Sequence, residues 1–150
     1  MRHDRAHRVP SLVDLSCAVV FVVAVSGGTV GAAELQVGQA RELDALAFAL
    51  VAAAAFVVVA WHRVTPVWAL AGAMAAASGY LLAGYPYGPV QLCMVVGMFE
   101  VARQRPPRIS LVVCGLAALA ASAAVVPRLG REVEAPVVVA LGWTAWIVLP

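Results

Sequence analysis

Lysine and asparagine are absent from this chain of 150 residues, and charged side chains make up only 12% of it. A soluble domain carries about 25% charge. That scarcity excludes an ordinary soluble enzyme, a disordered tail and a nucleic-acid-binding module. All ten basic residues are arginine, and the net charge is +2. The missing Lys and Asn, beside abundant Ala, Val and Gly, read as the bias of a GC-rich gene and not as chemistry. Cysteine is nearly absent too. Three cysteines without a CxxC pair exclude a secreted disulfide scaffold. Cys17, Cys93 and Cys114 fall in three different apolar segments and read as small apolar residues inside a helix bundle. Catalytic signatures are missing as well: there is no P-loop, no GxGxxG and no nucleophile elbow. His3, His7 and His62 have no Cys or acid at metal-ligand spacing. No catalytic, cofactor-binding or metal residue is therefore assigned.

What is present is hydrocarbon. Hydrophobic residues are 63% of the chain, and mean hydropathy is +0.93. Six apolar segments, 12–31, 43–61, 66–84, 89–103, 109–127 and 136–150, are separated by pieces of eleven residues or fewer. None of those pieces can bury a core of its own. The expected fold is all-α: an integral membrane bundle of about six transmembrane helices over 12–150, preceded by a cytoplasmic arm at 1–11. Arginine placement orients it. With the N-terminus inside, Arg2, Arg5, Arg8, Arg63, Arg103, Arg105 and Arg108 lie on the cytoplasmic side, against Arg41, Arg128 and Arg131 outside. Six spans return the C-terminus to the inside. Trp61, Trp68, Tyr80, Tyr85 and Tyr87 lie near segment ends, where amphipathic rings favour the membrane interface; Trp143 and Trp146 lie deeper. A competing reading of the start is a signal peptide, with Gly31 and Ala33 as the small residues before the cut, but its apolar run is long for an h-region.

Segment boundaries carry physical markers. Ser11 followed by Asp14 has the spacing of a capping box at the opening of the first segment. Glu42 and Asp44 open the second in the same sense, with acids at the positive end of a helix dipole. Pro66, Pro89 and Pro136 stand at helix starts, where a missing N–H does no harm, and Pro127 closes segment five. Glu100 sits near the negative end of segment four, with Arg103 at i+3 to pair with it. That pair reads either as an interfacial ion pair or as a coupling point in signal transfer. Small residues at four-residue spacing, such as Gly27 and Gly31, Gly72 and Ala76, or Ala117 and Ala121, permit close helix packing. The turn Tyr85-Pro86-Tyr87-Gly88-Pro89 reads as a tight reversal with two ring anchors, or as a ligand- or lipid-facing rim. No acid or His stands in the middle of a span, which weakens a transporter reading.

The order of these features resembles the N-terminal membrane domain of bacterial sensor histidine kinases of the type common in high-GC Gram-positive bacteria. The resemblance rests on Asp14 opening the first helix and on Arg41-Glu42-Leu43-Asp44 leading into the second. It rests further on Trp61-His62-Arg63-Val64-Thr65-Pro66, on Gly84-Tyr85-Pro86-Tyr87-Gly88-Pro89, on Phe99-Glu100-Val101-Ala102, and on the basic turn from Arg103 to Arg108. It implies a multi-pass input module in the cell membrane, a homodimer, and helix movement passed to a kinase. In that family a phosphoacceptor helix and an ATP-binding domain follow the last span. Neither box is found before Pro150. The resemblance thus implies no catalysis by this chain, whether it descends from a truncated kinase gene or stands alone. Asp14, Asp44, Arg63, Tyr85, Pro86, Glu100 and Arg103 are the candidate coupling or structural residues. The expected partners are the bilayer and either a kinase or another membrane protein, with no nucleic acid and no cofactor. A stand-alone protein that regulates a membrane partner is the competing function, and a small transporter ranks below it.

Overall fold

The structure, a computed structural model, describes residues 10–36 and 40–132, with 125–132 described as helix backbone only. Within them are five helices and no strand: α1 (Leu12–Leu35), α2 (Ala45–Ala60), α3 (Pro66–Leu82), α4 (Val90–Gln104) and α5 (Pro107–Glu132). The expected arm at 1–11 lies almost wholly outside the described residues. So do the sixth segment, Trp143 and Trp146.

Local chemistry sets most of the boundaries. Ser11 and Asp14 form the full capping box: the Ser11 hydroxyl accepts from the Asp14 N–H at 3.1 Å, and the Asp14 carboxylate accepts from the Ser11 N–H at 3.2 Å. Asp44 caps α2 by accepting from the Ala47 N–H at 2.9 Å. Pro66 occupies the first turn of α3. Arg105 precedes Pro106, and its backbone is extended (φ −118°, ψ 152°), which ends α4. Pro107 then opens α5 after the shortest connection among the described residues. One boundary departs from expectation. The helix does not close at Pro127 but runs on to Glu132. A proline inside a helix forfeits one backbone bond, and here the surrounding turns of helix persist through that loss.

The helices pack in sequence order. α1 lies on α2 with a smaller contact to α4, α2 lies on α3, and α3 lies on α4; α5 closes against α3 and α4. The core is built of small and branched residues: Val51, Ala54, Ala55 and Val58 from α2, Leu70, Ala73 and Ala77 from α3, and Cys93, Met94 and Val101 from α4. Gly97 of α4 lies close against both α2 and α3. A Cβ there would stand 2.8 Å from Leu70 Cδ1, 3.1 Å from Val58 Cγ2 and 3.5 Å from the Leu70 Cα.

Two helices, Leu12–Leu35 and Pro107–Ala124 within α5, are long and apolar enough to cross a membrane, with mean hydropathies of 2.0 and 1.6. α2, α3 and α4 have 16, 17 and 15 residues, or about 23–26 Å at 1.5 Å per residue. That falls short of the roughly 30 Å of a hydrocarbon core. In α1 only Asp14, Ala18, Val25 and Thr29 are buried, and they form one stripe along the face toward the bundle. Val19, Val20 and Val23 are exposed on its other faces.

Some side chains depart from expectation. Tyr80 and Tyr85 are fully buried, with ring centroids 5.1 Å apart, so they are core residues and not interface anchors. Trp68 is exposed. Of the cysteines, Cys93 is buried and Cys114 half-buried, but Cys17 is exposed on α1 and does not pack in the bundle. Gly27 and Gly31 have open space where a Cβ would stand, whereas Ala117 and Ala121 are buried against neighbouring helices.

Candidate functional site: polar clusters at the two ends of the bundle

Alternating helices bring the Ser11 end of α1, the α2–α3 turn and the end of α4 together. There, seven polar residues form one connected chain of contacts. Asp14, nearly buried, accepts from the Ser11 hydroxyl at 2.7 Å. Its second carboxylate oxygen lies 3.2 Å from Arg63 Nε. The same Arg63 Nε–H faces His62 Nε2 at 3.2 Å. His62 Nδ1 lies 2.6 Å from the Val59 carbonyl oxygen. A carbonyl only accepts, so Nδ1 carries the proton and Nε2 is left to accept from Arg63. The Gln104 amide then donates to the His62 carbonyl at 2.9 Å and to Glu100 at 2.7 Å. Arg103 pairs with Glu100 at 2.8 Å.

Four expected residues, Asp14, Arg63, Glu100 and Arg103, thus meet in one network. Sequence reasoning paired Glu100 with Arg103 but missed the two residues that join that pair to Asp14. These are His62, to which no role was given, and Gln104. Gln104 had a usable signal: it lies at i+4 from Glu100 and so shares its helix face. The network's chemistry is hydrogen bonding and charge pairing.

The opposite end gathers Asp44, Tyr85 and Pro86. The Tyr85 hydroxyl donates to Asp44 at 2.6 Å across 41 residues of sequence. Arg41 donates to the other Asp44 oxygen at 2.6 Å, and its guanidinium lies 4.8 Å from the Tyr85 ring centroid. The Arg41 N–H donates to the Gly84 carbonyl at 2.9 Å, and Gly84 takes a φ of +87°, open to glycine at little cost. Hydrogen bonding from Tyr85, with help from the Ala47 N–H and Arg41, holds the Asp44 carboxyl below its ordinary value. Desolvation, with the bond to Asp44, pushes the Tyr85 phenol up. Gln36 was missed. Its amide donates to the Tyr87 carbonyl at 2.7 Å and accepts from the Tyr87 N–H at 3.0 Å, so it clamps the end of α1 onto the α3–α4 turn. With Tyr85 and Pro86 fully buried, this turn is a structural closure and not an open rim.

Among the described residues no group of three His, Cys, Asp or Glu stands close enough to hold a metal ion. Comparison with protein-family models, with curated proteins and with solved structures returns no match.

Proposed function

We propose that this chain is a multi-pass membrane input module. In it a rearrangement of helices is passed through the Asp14–Arg63–His62–Gln104–Glu100 network to an output domain or partner. The network carries the reading, because it ties α1, the α2–α3 turn and α4 together at one end of the bundle. Two helices crossing by length and composition support membrane residence. So does the uncovered apolar surface of α1 and α5: Val20, Val23, Leu111, Leu116 and Leu119 are each more than half exposed. Contiguous apolar surface of this kind needs lipid or a partner. The shorter helices α2, α3 and α4 complete the spans of an N-in bundle, with segment 136–150 as the sixth. The arginine distribution supports that orientation.

The output belongs to a two-component histidine kinase, as the ordered motifs suggest, and the module itself catalyses nothing. A signal can shift such a bundle only by favouring one helix arrangement over another. The competing function, regulation of a separate membrane partner, uses the same network with a different recipient. Tagging the N-terminus at the chromosomal locus and blotting the membrane fraction separates them. A product much larger than 15.6 kDa places the module at the head of a longer kinase. A product of that size assigns the output to a partner that must co-purify. A soluble or cleaved tagged fragment refutes the N-in membrane module. Normal signalling by a folded Glu100→Gln chain refutes the coupling role of the network.

A further inference from the structure

Between α4 and α5 runs an outward-opening groove of about 740 Å³, lined by Val95, Phe99 and Ala102 on one side and Leu111, Gly115 and Ala118 on the other. That volume lies in the range of small-molecule sites. Its lining spans residues 95–102 and 110–118, or about 10–12 Å along the helices at 1.5 Å per residue. One leaflet of hydrocarbon is about 15 Å thick. The groove therefore matches most of one acyl chain's depth in a leaflet. It ends near the turn that joins its two walls, with Arg105 in that turn and Arg108 in the first turn of α5. Both are exposed, and neither has a carboxylate partner among the described residues, whereas Arg103 beside them is paired with Glu100.

We propose that the α4–α5 groove binds an anionic phospholipid, with an acyl chain along its apolar walls and the phosphate held by Arg105 and Arg108. The assignment rests on the membrane reading above but not on the signalling one. Charge decides the occupant. A second copy docked by a two-fold axis along the membrane normal would bring its own Arg105 and Arg108 to the same level, with like charges facing. A zwitterionic lipid would fill the groove without neutralising the arginines. An anionic headgroup does both, at about 5-fold in affinity for each arginine near the membrane surface.

The test is native mass spectrometry of the full chain in a nonionic detergent. The probes are phosphatidylglycerol, phosphatidylcholine with the same acyl chains, and glycerol phosphate. One phosphatidylglycerol per chain is expected, held about 30-fold more tightly than phosphatidylcholine. The Arg105→Gln/Arg108→Gln variant should erase that preference. Filling the groove with Gly115→Leu, where an added Cβ meets open space, or with Ala102→Leu should release both lipids while the chain stays folded. Equal retention of the two lipids overturns the proposal, as does a preference that survives the double variant. Glycerol phosphate competing as well as the intact lipid also overturns it, because the groove would then contribute nothing. Dimers that Gly115→Leu dissociates would assign the groove to a second copy instead. A chain recovered from the aqueous fraction without detergent overturns the membrane reading itself, and that result is separable from all the others.

Discussion

Replacing Gly97 by alanine tests a tight contact among three helices of the bundle. Carbon atoms in contact sit about 3.5–4.0 Å apart. The added methyl would stand 2.8 Å from Leu70 Cδ1 and 3.1 Å from Val58 Cγ2. Those groups must retreat by about 0.7 and 0.4 Å to reach even the short end of that range. Retreat is difficult: Val58 is 0% and Leu70 2% exposed, and the Leu70 Cα at 3.5 Å closes the third side. Overpacking of this kind costs about 1–3 kcal/mol. Against it stands the gain of about 1 kcal/mol when alanine replaces glycine within a helix. Gly27→Ala on α1 isolates that gain, since nothing lies within 4 Å of its added Cβ. The expected result is that Gly97→Ala is less stable than Gly27→Ala by about 1–3 kcal/mol. Reversible unfolding in mixed micelles would measure it. Shortening the neighbour should give partial rescue, so the Gly97→Ala/Leu70→Val pair should be more stable than the sum of its single changes by about 1 kcal/mol. Equal stability of the two alanine variants, or strict additivity of the pair, would refute the close approach of α2, α3 and α4.

Three further outcomes follow from the ends and the core. Gln36→Leu removes both bonds to the Tyr87 backbone, at a cost of about 1–3 kcal/mol, and amide exchange should accelerate first at Tyr87. Protection there equal to that of the parent would refute the clamp. The Asp44–Tyr85 pair should give stability a pH window. Asp44 is lowered from 3.8, so its contribution is complete above that value and is lost as pH falls through the lower folded value. Tyr85 is raised from 10.0, so its contribution is complete below that value and is lost as pH rises through the higher folded one. Asp44→Asn keeps a capping side chain and should flatten the acid limb of a stability–pH profile; an unchanged acid limb would assign it to other groups. Gln91, 5% exposed, buries an amide nitrogen with no hydrogen-bond partner among the described residues. Gln91→Met should therefore raise stability by about 1 kcal/mol, and a loss in the same unfolding assay would show that the amide is satisfied.

The readable parts of the sequence were those fixed within a turn of helix. The Ser11–Asp14 box, the Asp44 cap, the Pro66 start and the Glu100–Arg103 pair each join residues three apart or mark one position, so local spacing reveals them. The joins that build the end clusters span 41 residues for Tyr85–Asp44, 51 for Gln36–Tyr87 and 42 for Gln104–His62. Spacing carries no information about such contacts, and His62 therefore looked idle. Tyr80 and Tyr85 misled for a different reason. A ring with one polar tip suits a membrane interface and a core position with a nearby acceptor equally well, and only the bundle's packing separates the two. At Pro127 a reliable local breaker was overridden by a helix that continues on both sides of it.

The two ends differ in which of their groups meet water, and the proposed function draws on that difference. At the Tyr85 end the Arg41 and Asp44 side chains stay 51% and 41% exposed, while Tyr85 and Pro86 are closed off from solvent and Gln36 makes two bonds to one backbone unit. Breaking them leaves polar groups stranded, which is expensive. At the Asp14 end the cations that complete the network are open, with the Arg63 and Arg103 side chains 64% and 56% exposed. Their carboxylate partners are largely closed off, Asp14 at 7% and Glu100 at 14% exposed, so water can take the place of the acid beside each arginine more readily than that of the arginine beside each acid. On the function proposed above, a small bias is taken up by exchange at those exposed arginines. The proposed displacement is then expected where α1, the α2–α3 turn and α4 meet, the side that the arginine distribution would place in the cytoplasm.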